Sequence, residues 1–278
     1  MDAYYMTEEQ ITEFAAYLRG EEKSAGTVEK YCRDVSAFAD WLDGCAVEQD
    51  SGTAWRQALC ERGYAPVTVN SMLSSVNAFF RFMRWDIHIR FLKVQRRLFR
   101  EERRELTRAE YQRLLEAAES VPRVRLLLET ICATGIRVSE VRYITVEAAR
   151  RGRAEIALKG KIRVILLPDK LCRRLLKYAG KQKIASGEIF LTESGKSMRR
   201  QQIWAAMKQL CAAAKVPPEK AFPHNLRHLF AVTFYRMYKD IARLADLLGH
   251  SSLETTRIYL VTSGREHNRQ LNALGLIL

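Results

Sequence analysis

Between residues 7 and 85 apolar side chains recur every three or four positions, as Ile11, Phe14, Ala15 and Leu18 do, the spacing that lays one apolar stripe along a helix. The stripe is interrupted near residues 20–26, 43–50 and 62–66, which divides it into four helices, with Thr27 and Ser51 as expected starts of the second and third. Helical spacing resumes at Thr107, where Thr107-Arg108-Ala109-Glu110 reads as a capping box. Composition turns strand-like at residues 143–146 and 154–158. Lys159-Gly160-Lys161 is a tight turn, and Arg163-Val164-Ile165-Leu166-Leu167 returns as a second strand before Pro168. Further helices are expected at residues 169–179, at 199–215, after Pro223, at 240–248, and from Leu253 past Tyr259.

The pattern therefore predicts a mainly α chain with one small antiparallel β-sheet, divided into a four-helix unit at residues 1–93, a linker at 94–105 and an α-rich unit at 106–278. Seven basic residues stand in the stretch from Arg90 to Arg104, against only Glu101 and Glu102, and it contains neither Gly nor Pro. It reads either as a basic strap along a phosphate backbone or as a solvated helix face; the charge of the whole chain favours the strap.

That charge is +14, from 46 Lys and Arg against 32 Asp and Glu, an excess that most often serves a polyanion. No run of eighteen apolar residues exists and the N-terminus lacks a signal-peptide pattern, so a cytoplasmic protein without membrane contact is expected. The six cysteines form no CxxC pair; reduced and mostly buried thiols are expected, with no zinc site or disulfide framework.

Three segments carry candidate chemistry. His224 and Arg227 lie three apart after Pro223, a residue suited to a helix's first turn, so they share one face. Leu248-Gly249-His250 reads as a helix stop and Ser251-x-x-Glu254 as the capping box of the next helix, which puts His250 at a corner and Tyr259 further along. In Gly135-Ile136-Arg137-Val138-Ser139-Glu140 a glycine ends one helix and Arg137 stands at the break, either aimed at a ligand or merely paired with Glu140 on the surface. Together they suit phosphoryl transfer without a metal. Arg137 and Arg227 stabilise charge on nonbridging oxygens, an imidazole takes the proton of the Tyr259 phenol, and a lysine on the hairpin tip protonates the leaving sugar oxygen.

The motifs TGIRVSE, KGKIRVILLP, PHNLRH and LLGHSSLETTRIY, in this order and at these separations, resemble those of the tyrosine recombinase family, which includes phage integrases and Xer-type recombinases. The resemblance covers residues 107–259, and the four helices before it are similar to the family's core-binding domain. It implies a site-specific recombinase in which Arg137 and Arg227 hold the scissile phosphate and Tyr259 attacks it, leaving a 3'-phosphotyrosyl bond and a free 5'-hydroxyl. By the same resemblance His224 is the acid/base partner and His250 binds or positions the phosphate. Lys159 protonates the leaving oxygen, with Lys161 as the alternative. No cofactor, metal or ATP is implied. The implied partners are double-stranded DNA recombination sites, bound by a homo-tetramer, with or without a partner recombinase.

Two departures from the family pattern stand out: Leu158 occupies the place of a small residue before the hairpin lysine, and Leu260-Val261 follows the tyrosine in place of a polar pair. The apolar tail containing Leu271, Leu274, Leu276, Ile277 and Leu278 is expected to dock on a neighbouring protomer. At the start of the helix at 199–215, Arg199 and Arg200, with Lys208 further along and Lys161 on the hairpin, are candidate DNA contacts. A type IB topoisomerase shares the chemistry, and a DNA-binding regulator keeping only the fold is the alternative from another class. A metal-dependent nuclease fits less well, since no cluster of carboxylates and histidines at ligand spacing is visible.

Overall fold

The computed structural model describes residues 4–94, 105–158, 161–259, 269 and 272–274. The expected linker, apart from residues 94 and 105, and most of the apolar tail lie outside them. The chain forms two compact units, residues 1–96 and 97–278.

The first unit contains α1 (Glu8–Gly20), α2 (Ala25–Leu42), α3 (Ser51–Glu61) and α4 (Pro66–Phe82). Thr7 and Gln10 form a reciprocal capping box at α1, and Pro66 occupies the first turn of α4, where a missing N–H costs nothing. The start of α2 differs from expectation. Ser24, in extended backbone, is the cap, and its hydroxyl accepts from the amide of Thr27, which is already inside the helix. The core is aromatic, with Phe14, Phe38, Trp55, Phe79 and Phe80 fully buried. Gly52 fits only as glycine, because a Cβ there would stand 2.4 Å from Cγ1 of Ile89. Asn77 fixes that isoleucine by bonding both its N–H and its carbonyl, each at 2.9 Å.

The second unit contains α5 (Arg108–Ala117), α6 (Pro122–Thr134), a 3-10 turn (Val138–Tyr143), α7 (Val146–Arg151), β1 (Arg153–Leu158), β2 (Lys161–Leu166), α8 (Asp169–Lys181), α9 (Arg200–Ala214), α10 (Pro223–Tyr238), α11 (Ile241–Leu248) and α12 (Leu253–Arg257). The expected mainly α architecture with one two-stranded antiparallel sheet is observed, with Ala154 opposite Ile165 and Ile156 opposite Arg163. Residues 143–146 are not a strand despite their β-branched composition. The Thr145 hydroxyl caps α7 by accepting from the Ala148 amide, and among the described residues the sheet-like pairing of this stretch is one bridge from Thr145 to Glu188.

Strand β2 alternates. Val164 and Leu166 face solvent while Ile165 is buried, so Arg163 points inward. Leu127, Leu128 and Ile131 of α6 and Leu175 of α8 fill the centre of this unit. Cys172 and Cys211 are buried, but Cys45 and Cys60 are exposed, against the expectation of mostly buried thiols. Cys45 follows the turn that ends α2, and Cys60 lies on the outer face of α3. Among the described residues no helix is long and apolar enough to cross a membrane.

Candidate active site

The site is built around the C-terminal end of α11. A helix end leaves carbonyls without intrahelical partners and carries the negative end of the helix dipole, so it favours cations. Here three successive carbonyls each accept from a different arginine: Leu247 from Arg163 Nη2 at 2.8 Å, Leu248 from Arg227 Nη2 at 2.9 Å, and Gly249 from Arg137 Nη2 at 3.2 Å. Gly249 ends the helix at φ +61°, and a Cβ there would stand 2.4 Å from Cδ of Arg163. Glycine is required both for the left-handed turn and for the arginine that packs against it.

Each arginine arrives from its own element. Gly135 ends α6 at φ +63°, where a Cβ would meet the Phe230 ring at 2.5 Å, and the turn delivers Arg137 two residues later. The pair with Glu140 forms, but its carboxylate is buried at 3% exposure and not on the surface. Arg137 Nη1 pairs with Glu140 at 3.0 Å, and the arginine side chain remains 43% exposed and lines the cleft. Arg227, on α10, is 3% exposed and also donates from Nη1 to the Gly135 carbonyl. Arg163 reaches in from β2 and chelates Glu140, with Nη1 at 2.7 and 2.8 Å from its two oxygens. One buried carboxylate thus faces three guanidiniums, a formal excess of two positive charges in a site that is partly closed to water. Desolvation pulls Arg163 and Arg227 below the usual arginine range, opposed by Glu140 for Arg163 and by the nearby Tyr259 for Arg227.

His250 is the first residue past the α11 stop. Its Nε2 lies 2.8 Å from Arg227 Nη2 and its Nδ1 lies 2.9 Å from the Thr256 hydroxyl. A guanidinium only donates, so Nε2 accepts and the neutral ring carries its proton on Nδ1, directed at Thr256. Desolvation, then the charges of Arg227, Arg137 and Arg163, push the His250 pKa down to about 4, which keeps that tautomer uncharged.

Tyr259 follows α12 and does not lie within it. The helix ends at Arg257, and the Tyr259 amide donates to the Thr256 carbonyl at 3.0 Å. The cap of α12 is Ser252, not Ser251, because Ser252 has the extended backbone that lets its hydroxyl accept from the Glu254 amide. The Tyr259 ring is 4% exposed and packed among three imidazoles: parallel to His250 at 5.9 Å, and tilted against His228 at 5.4 Å and His224 at 6.3 Å. His224 sits in the first turn of α10, one turn before Arg227, with its ring also stacked on Phe222.

A cleft of about 500 Å³ brings together Arg137, His224, Arg227, His250 and Tyr259, with Arg200 and Trp204 of α9 in its wall. Lys159 lies outside the described residues. Lys161 begins β2, its backbone paired with Leu158. Arg199 and Lys208 do not line the cleft. Arg199 is the first residue before α9, where its amide donates to Gln202 Oε1 at 2.8 Å. Lys208 donates to the Pro218 carbonyl and stands 5.0 Å above the Trp204 ring.

Sequence reasoning passed over Arg163, His228, Thr256 and Trp204. The alternation of β2 was the available signal for Arg163. His228, one position after Arg227, is buried with Nε2 3.3 Å from Glu105 Oε1, and nothing in its spacing distinguished it from a packing residue.

The fold and this cleft define an enzyme that rearranges DNA, a site-specific recombinase. Residues 104–265 match the phage integrase family, and residues 11–86 match its N-terminal SAM-like domain. Tyrosine recombinase XerC of Roseiflexus castenholzii is 31% identical, over 90% of this chain and 88% of its own length. In fold the chain is similar to a lambda integrase tetramer bound to a Holliday junction, with TM-score 0.72 at 18% identity over 93% of this chain and 78% of that one. It is also similar to XerH recombinase bound to difH substrate in a pre-cleavage complex, with TM-score 0.68 at 18% identity over 95% of this chain and 84% of that one. The chain belongs to the tyrosine recombinase family.

Proposed function

We propose that this recombinase cleaves and rejoins DNA through a covalent 3'-phosphotyrosyl bond to Tyr259. The observation that carries the reading is the cleft that holds the Tyr259 ring, 5.9 Å from that of His250, together with the guanidiniums of Arg137 and Arg227. Arg137 and Arg227 hold the nonbridging oxygens of the scissile phosphate, where charge grows as the phenolate oxygen adds. His224 takes the phenol proton. His250, neutral and accepting from Arg227, positions that guanidinium. Lys159 on the hairpin tip, with Lys161 as the alternative, gives a proton to the departing 5'-oxygen. The 5'-hydroxyl of another strand then attacks the phosphotyrosine, restores the phosphodiester and releases the phenol. One phosphoester bond replaces another at each step, so neither ATP nor a metal is needed.

The excess of two charges at the site and +14 over the chain support a DNA duplex as partner, gripped by residues 1–93, the basic linker at 94–105 and the catalytic unit at 106–278, with Arg199, Arg200 and Lys161 on the duplex. The likeness to the lambda integrase assembly supports a homo-tetramer on two paired sites, acting in the cytoplasm where the DNA lies. Integration and excision of a mobile element, or resolution of chromosome dimers, is the outcome such strand exchange serves.

The test uses duplexes with a randomised core and a nick just 3' of it, so that the short 5'-hydroxyl fragment released by attack diffuses away. Full-length protein should give a protein-DNA adduct on denaturing gels, and Tyr259→Phe should give none. An adduct undiminished in the Phe variant removes Tyr259 from its role.

A further inference from the structure

Trp204 is half-exposed, at 50%, although its neighbours Ile203 and Met207 on α9 are buried. Its indole forms part of the wall of the cleft that holds Arg137, His224, Arg227 and Tyr259, and Arg200, one helical turn earlier on the same face, lines that wall too. One face of the ring is covered by the Lys208 ammonium at 5.0 Å, and that ammonium is itself anchored on the Pro218 carbonyl. The ring is therefore held in one orientation, with apolar area left open at a site otherwise built for an anion. A small apolar group attached to the anion's own molecule fits this combination. Resting on the strand-transfer reading above, a duplex whose scissile phosphate lies between Arg137 and Arg227 places its adjacent nucleotides against this face. On the groove edge of a base pair the apolar group is the C5-methyl of thymine.

We propose that Trp204 contacts the nucleotide bordering the scissile phosphate and selects thymine there through its methyl group. Lys208 is the positioning residue that holds the ring.

The test sequences the adducts recovered from the randomised duplexes. Wild type should enrich thymine at a base pair bordering the cleavage point, and replacing that thymine by uracil should lower adduct yield about fourfold, the effect of one buried methyl. Trp204→Ala should abolish the difference between thymine and uracil while keeping a folded chain by circular dichroism, and Trp204→Phe should restore part of it. Lys208→Met should shrink the difference while leaving the salt dependence of DNA binding unchanged, because an ammonium committed to Pro218 neutralises no phosphate. Absence of thymine enrichment, or a difference between thymine and uracil that persists in Trp204→Ala, overturns the contact. A fall in the salt slope with Lys208→Met places that lysine on the DNA backbone and overturns its positioning role. If wild type forms no adduct at all, the strand-transfer reading fails and the contact fails with it; adducts that ignore Trp204 remove the contact alone.

Discussion

The two units bury polar side chains in different ways. In the first, buried groups are closed within the unit: Asp34 is matched by Lys30 and Arg33 and by the Ser75 hydroxyl at 2.9 Å, and Asn77 by both backbone groups of Ile89. Among the described residues of this unit no buried side-chain polar atom lacks a partner, and Phe38, Phe79 and Phe80 are fully buried in its core. In the second unit one carboxylate and a helix end gather three arginines, and the sum does not close. Concentrating like charges away from water is costly unless something of opposite sign arrives. The excess suits the second arrangement to the anion proposed for it, and there the buried Nε of Arg163 has no partner among the described residues, whereas the first arrangement serves as scaffold.

The comparison breaks most sharply at its two buried charges. Arg227→Ala is expected to lower the rate of adduct formation by about 10²- to 10³-fold, the usual effect of removing one donor to the charge that develops in a transition state. Asp34→Asn, in the first unit, should leave that rate unchanged at a temperature where the variant is folded, and should cost about 1–3 kcal/mol of stability through the weakened partners of a buried group. Rates come from quenched gels and stabilities from thermal melts. If Asp34→Asn slows cleavage as much as Arg227→Ala does, the division between scaffold and site is wrong.

Two glycines sharpen the same contrast. Gly52 and Gly249 both lie against a side chain that a Cβ would strike at 2.4 Å, Ile89 in one case and Arg163 in the other. Gly52→Ala should cost about 1–3 kcal/mol by overpacking and leave adduct formation intact. Gly249→Ala adds the strain of a left-handed backbone, about 1–2 kcal/mol, and displaces Arg163 from the helix end that carries His250. Its adduct rate should fall at least about tenfold, a loss equivalent to roughly 1.4 kcal/mol of transition-state binding. Equal activity in the two variants would show that the corner at Gly249 tolerates movement.

What the sequence disclosed follows from the same physics. The residue types at 137, 224, 227, 250 and 259 are chemically distinctive, and the glycines and prolines beside them announce helix ends, so their meeting in one cleft was readable. Arg163 was not read, because an arginine in a strongly basic chain looks like a solvated one. The alternation with Ile165 nevertheless put it on the inward face. Trp204 stood in a helical pattern where aromatics usually fill cores, and only the fold shows that it does not. Caps differ from expectation where two hydroxyl residues compete, as with Ser24 and Thr27 or Ser251 and Ser252, since the extended backbone that decides between them does not show in residue type. The strand expected at 143–146 failed because the Thr145 hydroxyl captures the α7 N-terminus, and a local cap outweighs β-branched composition.

The smallest expected effect concerns His250 and acid. Its pKa in the folded chain lies near 4, below its ordinary 6.5, so the unfolded chain takes up a proton first as the pH falls. The stability linked to this group is complete above about 6.5 and is lost as the pH drops through 4, the direction required when the unfolded state binds more protons. Thermal melts of wild type between pH 7.5 and 4.5 should therefore slope downward more steeply than those of His250→Asn, which cannot take up that proton. The carboxylates of both units contribute to the slope in each protein and cancel in the comparison. From pH 6.5 down to about 5 the melting temperature should fall ahead of the adduct rate, because the folded imidazole stays neutral and keeps accepting from Arg227 until the pH nears 4. A rate that falls together with the melting temperature above about pH 5 would mean that the folded imidazole already takes up its proton there, and that the three arginines do not hold it neutral.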